Sequence, residues 1–307
     1  MSGQGTMHHG AFDQSLSLTM RAVFVIRTIG VKYGASVDLI AQDIGRTCVM
    51  SSLKGQTALV TGGGTGIGRA IARDFAGAGV EVIVSGRRAG PLEKTVKLIT
   101  DAGGTASAVT CDMTDPDAVE TFAKALLAEH GTIDILINNA GFSSKIRSTR
   151  YIGAEEWRDV MDVNTMGPAI LTKALLQPMI DQGWGDVVMI SSMAAINPSI
   201  MAGAVYSAAK AAARSYMHVL AQEMRPHGIR CITCFPGEVD TPILDNRALP
   251  PDEETRAKMM LPEDISTAVL MSVALPRRAW VSEIAIAATD PRDMTADVAA
   301  AKTKQKI

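Results

Sequence analysis

The chain has 307 residues, 47% of them hydrophobic and 20% charged, with a formal net charge of −2. That is an ordinary globular balance with length for a large core. With no basic excess and no aromatic-interleaved basic stripe, nucleic acid is not expected as a partner. No apolar run approaches the ~20 residues that cross a bilayer, so no membrane span is expected.

Residues 1–49 differ from the rest. Ala22 to Ile26 is an apolar run between Arg21 and Arg27, too short and interrupted for a signal-peptide core. Acidic residues are scarce there, which fits a transit peptide. An appended or mis-assigned start, poorly ordered, is the preferred reading, because Met50-Ser-Ser-Leu-Lys-Gly-Gln-Thr57 opens the next segment naturally. Residues 50–290 are expected to form one domain.

From Ala58 a strand, turn, helix pattern repeats. Ala58–Thr61 is a short buried strand, and Gly62 to Gly68 a glycine turn with Thr65 and Ile67 inside it. Arg69–Phe75 continues as helix. Val80–Ser85 and Ala106–Cys111 are predicted strands, followed by helices over Pro91–Ala102 and about Asp115–His130. Ile133–Asn138 is the fourth strand. A long helix over about Ala154–Asp181 contains Pro168, which predicts a kink or break. Gly185–Ser192 is a strand, Ala204–Met224 a helix, and Gly228–Phe235 a sixth strand reaching Pro236-Gly237. Residues 243–262 are polar, hold Pro250-Pro251, and are expected to form a mobile flap. A helix starting at Pro262 and a strand over Trp280–Ile286 follow, then a loose polar tail from 291 to 307. Such alternation implies an α/β fold with parallel strands and helices on both faces.

Cys231 and Cys234 have C-x-x-C spacing, but on a strand positions three apart point to opposite faces. A shared metal or easy disulfide is disfavoured, and no metal site is expected. The histidines show no ligand spacing either.

The glycines at 62, 66 and 68 follow a strand and open a helix. Glycine lets the backbone approach a pyrophosphate closely, and a helix N-terminus offers free N–H groups to it. A tight packing turn would look the same in isolation. The second strand ends at Ser85-Gly86-Arg87-Arg88, with no acid to bond a ribose 2′-hydroxyl and two arginines suited to a 2′-phosphate. NADP is therefore favoured over NAD, the bland alternative being a solvated basic loop. Asp112 could accept from an adenine amino group. Asn138-Asn139-Ala140-Gly141 leaves room for a cofactor, while its Asn side chains could pin neighbouring strands.

Tyr206 and Lys210 share one helix face at i and i+4. A cation near a phenol favours the phenolate, which lowers the pKa toward a useful acid/base range. Ser192, at the end of its strand, could hydrogen-bond the same substrate oxygen. Y-x-x-x-K alone is a weak motif; its context strengthens it.

With these motifs assembled, about Leu53 to Ile286 resembles the short-chain dehydrogenase/reductase family in its single-domain form. The carriers are Thr61-Gly62-x-x-x-Gly66-Ile67-Gly68, Asn138-Asn139-Ala140-Gly141, Asn164, Ser192, Tyr206-x-x-x-Lys210 and Pro236-Gly237-x-Val239-x-Thr241. The resemblance implies a doubly wound Rossmann fold with a seven-stranded parallel sheet in the order 3-2-1-4-5-6-7. It implies Tyr206 as general acid/base, Lys210 tuning it and holding the nicotinamide ribose, and Ser192 orienting a carbonyl. Asn164 would hold a water linking Lys210 to solvent, and Val239 and Thr241 would line the nicotinamide end. Ser191 remains an alternative to Ser192, which lies fourteen residues before Tyr206 where thirteen is more familiar. The C-terminal end lacks the glycine-rich finish of acyl-carrier-protein reductases and is closer to the branch acting on 3-oxo acids and hydroxy-acid semialdehydes.

The function expected from this resemblance is NADP-dependent hydride transfer to a small ketone or aldehyde in a cytoplasmic homodimer or homotetramer. A cofactor-sensing or scaffold protein on the same fold is the alternative. A dehydratase or epimerase of the extended type is disfavoured, since little chain follows Pro236 to build a substrate domain. Arg247 and Arg256 in the flap could meet a carboxylate, though solvent exposure is the commoner fate of such residues.

Overall fold

The computed structural model describes residues 53–303; the expectations for segment 1–49 lie outside the described residues. Seven strands form one sheet: β1 (Thr57–Thr61), β2 (Glu81–Gly86), β3 (Ala106–Thr110), β4 (Ile135–Asn138), β5 (Gly185–Ile190), β6 (Ile229–Pro236) and β7 (Glu283–Ile286). The order is β3-β2-β1-β4-β5-β6-β7 and every pairing is parallel, as the resemblance implies. Parallel neighbours need crossover connections, and helices supply them. These are α1 (Gly66–Gly77), α2 (Ala89–Asp101), α3 (Pro116–His130), α4 (Ala154–Met161), α5 (Gly167–Gln182), α6 (Ala204–Met224), α7 (Glu253–Ala257), α8 (Pro262–Ala274) and α9 (Thr295–Ala301).

Helices α1, α2 and α8 pack on one face of the sheet, and α3, α5 and α6 on the other. Both faces are thus covered, which is why β1, β4 and β5 are near-continuous apolar runs rather than alternating ones. Leu59, Leu136, Val187 and Cys231 meet Phe122, Leu126, Leu175 and Met217 in one core. A fully buried side chain of this size contributes about 1.5–3 kcal/mol.

The long helix predicted over 154–181 is interrupted before Pro168. Helix α4 ends at Met161, a π-helical turn spans Asp162–Met166, and α5 restarts with Pro168 in its first turn. Proline has no N–H to donate, so the ladder breaks on its N-terminal side. Gly167 permits the restart to sit tightly, since a Cβ there would lie 2.4 Å from the Met113 carbonyl oxygen.

The C-terminal end departs from expectation. The last strand begins at Glu283, while Trp280 lies before it and donates through Nε1 to the Cys231 carbonyl at 2.8 Å. Residues after 290, expected to be loose, carry α9 and are anchored by Arg292, which bridges Glu238 at 2.7 Å and Asp297 at 2.9 Å. The flap also has structure: a 3-10 turn over Pro242–Asn246, helix α7, and a parallel bridge between Val239 and Met260.

Cys231 and Cys234 are buried in β6 as free thiols, and burial pushes both up to about 12. Beneath them, at the N-terminal end of the strands, the register places Asp186 of β5 beside Arg230 of β6. Arg230 donates to both Asp186 oxygens, at 2.7 and 3.1 Å, and to the carbonyls of Val273, Leu275 and Ala279. Arg277 adds a second contact to Asp186 at 3.0 Å. Among the described residues no helix is long and apolar enough to cross a membrane, and no cluster of His, Cys, Asp or Glu could hold a metal ion.

Candidate active site

The opposite, C-terminal end of the sheet opens into a cleft of about 580 Å³. Open parallel sheets generally bind ligands there, where the strand order reverses. Gly62, Thr65, Gly66 and Ile67 line it together with Asn139, Ala140 and Gly141, with Ser192, Tyr206 and Lys210, and with Val239 and Thr241; Thr241 lies against the glycine turn, since a Cβ on Gly66 would meet its Cγ2 at 3.1 Å.

The glycine turn is held by its surroundings. Gly62 has φ 65°, and a Cβ there would meet Asn139 Nδ2 at 2.8 Å. A Cβ on Gly68 would lie 2.4 Å from both Asn139 Nδ2 and the Gly62 carbonyl oxygen. Asn139 Nδ2 donates to the Thr61 and Gly62 carbonyls at 2.9 and 3.2 Å, so this Asn serves as the pin. Thr61 Oγ1 accepts from the N–H groups of Asn139 and Ala140, both at 3.0 Å, tying the end of β1 to that of β4. Arg69 braces the loop from behind, donating to the Gly64 carbonyl and to Thr95 Oγ1. The result is a fixed, glycine-rich turn opening a helix, which fits a dinucleotide pyrophosphate.

Gly68 itself is absent from the cleft wall; its part is to let α1 pack against the turn. Arg87 and Arg88, at the end of β2, are exposed. Asp112 uses Oδ1 to accept from Thr114 N at 3.0 Å and Thr114 Oγ1 at 2.9 Å, which shapes the loop after β3. Asn138 is buried and donates to Thr172 Oγ1 at 3.0 Å, fastening β4 to α5.

At the centre, α6 presents Tyr206 and Lys210 to the cleft one turn apart. Lys210 Nζ lies 5.7 Å from the Tyr206 ring centroid and donates to the Ile190 carbonyl at 3.0 Å. Asn164 sits in the π turn and donates to the Val160 and Phe142 carbonyls at 2.8 and 2.9 Å. A Cβ on Gly141 would lie 2.6 Å from Asn164 Oδ1 and 3.2 Å from Lys210 Nζ, so those two groups crowd one point. The adjacent serines separate cleanly. Ser191 Oγ donates to the Lys210 carbonyl at 3.1 Å, whereas Ser192 hydrogen-bonds the Tyr206 phenol.

The electrostatics differ from the sequence expectation. Burial holds the Tyr206 phenol above its usual value of 10, and what opposes burial is the Ser192 hydrogen bond and the charges of Arg147 and Arg247. Lys210 is not among the groups that offset that burial; its own ammonium is stripped of solvent and pushed down to about 8.

Arg147 was invisible to sequence reasoning: it lies in the loop after β4, without motif or periodicity. Of the two flap arginines, Arg247 lines the cleft and pairs with Glu238 at 2.6 Å, rather than standing in solvent. Arg256 ties the flap together, reaching Asp240 at 2.7 Å and Asp245. Glu238 and Arg292, also unforeseen, join the cleft wall to the C-terminal segment.

The family model for short chain dehydrogenases matches residues 56–251. A short chain dehydrogenase of Pseudocercospora fijiensis is 37% identical over 62% of this chain, which spans 61% of that protein's length. A metagenomic short-chain oxidoreductase solved in complex with NADP shares 32% identity, with a TM-score of 0.69 over 78% of this chain and 100% of that one. A 3-ketoacyl-(acyl-carrier-protein) reductase from Brucella melitensis, complexed with NADH, shares 27% with a TM-score of 0.68, covering 76% of this chain and 97% of that one. Fold, motif order and family match agree, and the chain belongs to the short-chain dehydrogenase/reductase family.

Proposed function

We propose that this protein transfers a hydride between NADP(H) and a small ketone or aldehyde, running in reverse on the secondary alcohol; 3-oxoacyl and 3-hydroxy-acid compounds fall within that class. The observation that carries the reading is the meeting of Tyr206, Ser192 and Lys210 in one cleft with the glycine turn.

Gly62, Thr65, Gly66 and Ile67 would cradle the pyrophosphate, with Gly68 letting α1 pack against them. The exposed Arg87 and Arg88 would meet a 2′-phosphate, and Asp112 would accept from the adenine amino group. Asn139, Ala140 and Gly141 form the floor, and Val239 and Thr241 the nicotinamide wall. When bound, the cofactor supplies the hydride.

Tyr206 gives its proton to the carbonyl oxygen as that oxygen gains charge, and Ser192 fixes the oxygen beside it. A phenol held protonated by burial is suited to donate in the reductive direction. Lys210 Nζ would hold the nicotinamide ribose. The Asn164 carboxamide oxygen, buried and without a protein partner, takes the water that relays protons onward from Lys210. Trp157, Met166 and Val219 leave apolar surface exposed on α4, the π turn and α6, which supports pairing of copies through these helices. Light scattering at a single molecular mass of one chain would remove that part. Free buried thiols fit a reducing, cytoplasmic setting.

The test is oxidation of NADPH and of NADH over a carbonyl panel. NADPH turnover is expected to exceed NADH turnover, and Tyr206→Phe to lower kcat by about 10²–10⁴-fold without loss of cofactor affinity. Tight cofactor binding with no turnover of any carbonyl would instead favour a sensing or scaffold role.

A further inference from the structure

Two arginines among the described residues are more than nine-tenths buried, Arg147 and Arg230. Arg230 has the Asp186 carboxylate. Arg147 has none. Its Nη1 donates to the Ala202 carbonyl at 2.8 Å and its Nη2 to Ser143 Oγ at 2.9 Å, both neutral partners. Its Nε is buried without any partner. A guanidinium carries five N–H donors, so most remain for another group.

The neighbouring acids are already engaged. Glu156 accepts from Ser144 Oγ at 2.6 Å and from the N–H groups of Lys145 and Ile146, at 2.6 and 3.2 Å. Glu238 is shared by Arg247 and Arg292, and Asp297 is taken by Arg292. Asp290 stands exposed at the rim. The Arg147 guanidinium is therefore hydrogen-bonded to no carboxylate; it and Lys210, which meets only the Ile190 carbonyl, are the cations of the cleft wall that lack one, in low-dielectric surroundings where an unpaired ion is costly.

The placement of that charge is fixed. Gly203 is the residue before α6, with φ 82°, and a Cβ there would meet Arg147 Cδ at 3.1 Å and Arg147 Cα at 3.2 Å. The guanidinium is thereby seated against the N-terminus of the helix that carries Tyr206, in the wall of the same cleft.

We propose that the substrate is a carbonyl acid whose carboxylate is received by Arg147 while Ser192 and Tyr206 hold its carbonyl oxygen. A guanidinium without a carboxylate partner matches an anion, and its planar fork matches a carboxylate. The inference rests on the hydride-transfer reading for the place of the carbonyl, and on Arg147 alone for the anion. Arg147 is a specificity-determining residue here, and Arg247, neutralised by Glu238, is not.

The experiment compares short α-, β- and γ-oxo carboxylates with their methyl esters on the full-length protein. Turnover is followed with NADPH, and binding by calorimetry with NADP+, where the oxo compounds cannot react. For at least one chain length the acid is expected to exceed its ester by about tenfold or more in kcat/KM and in affinity. Arg147→Met should erase that advantage through KM, lowering kcat/KM for the acid by about tenfold more than for the ester, and be partly rescued by Arg147→Lys. Esters equal to acids at every length in the unaltered protein would overturn the inference while leaving hydride transfer intact. An equal loss for acid and ester in Arg147→Met, with a displaced pH profile, would also overturn it, placing the charge in the service of Tyr206. Selective binding of an acid without NADPH oxidation would keep the inference and reject hydride transfer.

Discussion

The two ends of the sheet treat a buried arginine in opposite ways. At the N-terminal end of the strands, Arg230 meets both oxygens of Asp186 and three carbonyls, and neither residue lines the cleft. At the C-terminal end, Arg147 is as deeply buried but has only neutral partners and borders the cleft. One end spends its charge on internal order; the other withholds it for something that arrives from outside. Burial alone therefore says little about a charge. Whether its partner is already in the chain says more.

That contrast can be broken at either end. The largest expected effect is on stability. Asp186→Asn leaves Arg230 buried beside a neutral group and should cost about 3–5 kcal/mol, lowering Tm by on the order of 10 °C. The folded variant should keep its kcat, because Asp186 is remote from Tyr206. Denaturant titration beside steady-state rates checks both halves, and a kcat loss at unchanged stability would erase the distinction between the ends.

A second test uses pH. Lys210 falls from 10.5 to about 8 on burial. Between those values the unfolded chain binds more protons at this site than the native one, so the contribution of Lys210 to native stability should rise with pH across that window, the penalty being complete below about 8, while the buried thiols of Cys231 and Cys234 oppose it above about 9. Lys210→Met should lack this rise. Urea unfolding of both proteins from neutral to alkaline pH measures it, and parallel slopes would show that the ammonium is not desolvated.

The smallest effect concerns the rim beyond β2. Arg87→Ala or Arg88→Ala should reduce the preference for NADPH over NADH by about tenfold through lost charge-assisted bonds to the 2′-phosphate. NADH kinetics should stay the same. An unchanged ratio would leave these two arginines as solvated loop residues.

What could be read from the sequence was what depends on short spacing. The Gly62 to Gly68 turn, the Tyr206 and Lys210 pair and the strand order through its family resemblance all rest on neighbours within a few positions or on ordered motifs. Pro168 announced a break, since a missing donor is a local fact. Its form, a π turn carrying Asn164, depends on packing against Met113 and Phe142 and was not legible. Arg147 was missed because its burial comes from Gly203 and Ala202, more than fifty positions away, in a loop with no period to read. The tail was misjudged for a related reason. Polar residues after 290 read as solvated, but Glu238 supplies Arg292 with a partner from across the fold.

Glu238 is also where the protein's last stretch acquires an influence out of proportion to its size. Its one carboxylate grips Arg247 from the flap and Arg292 from the segment leading into α9. A shortened gene that stops before Arg292 is thus an alteration of the cleft wall that small molecules must pass. Kinetic constants measured on such preparations would describe a different doorway.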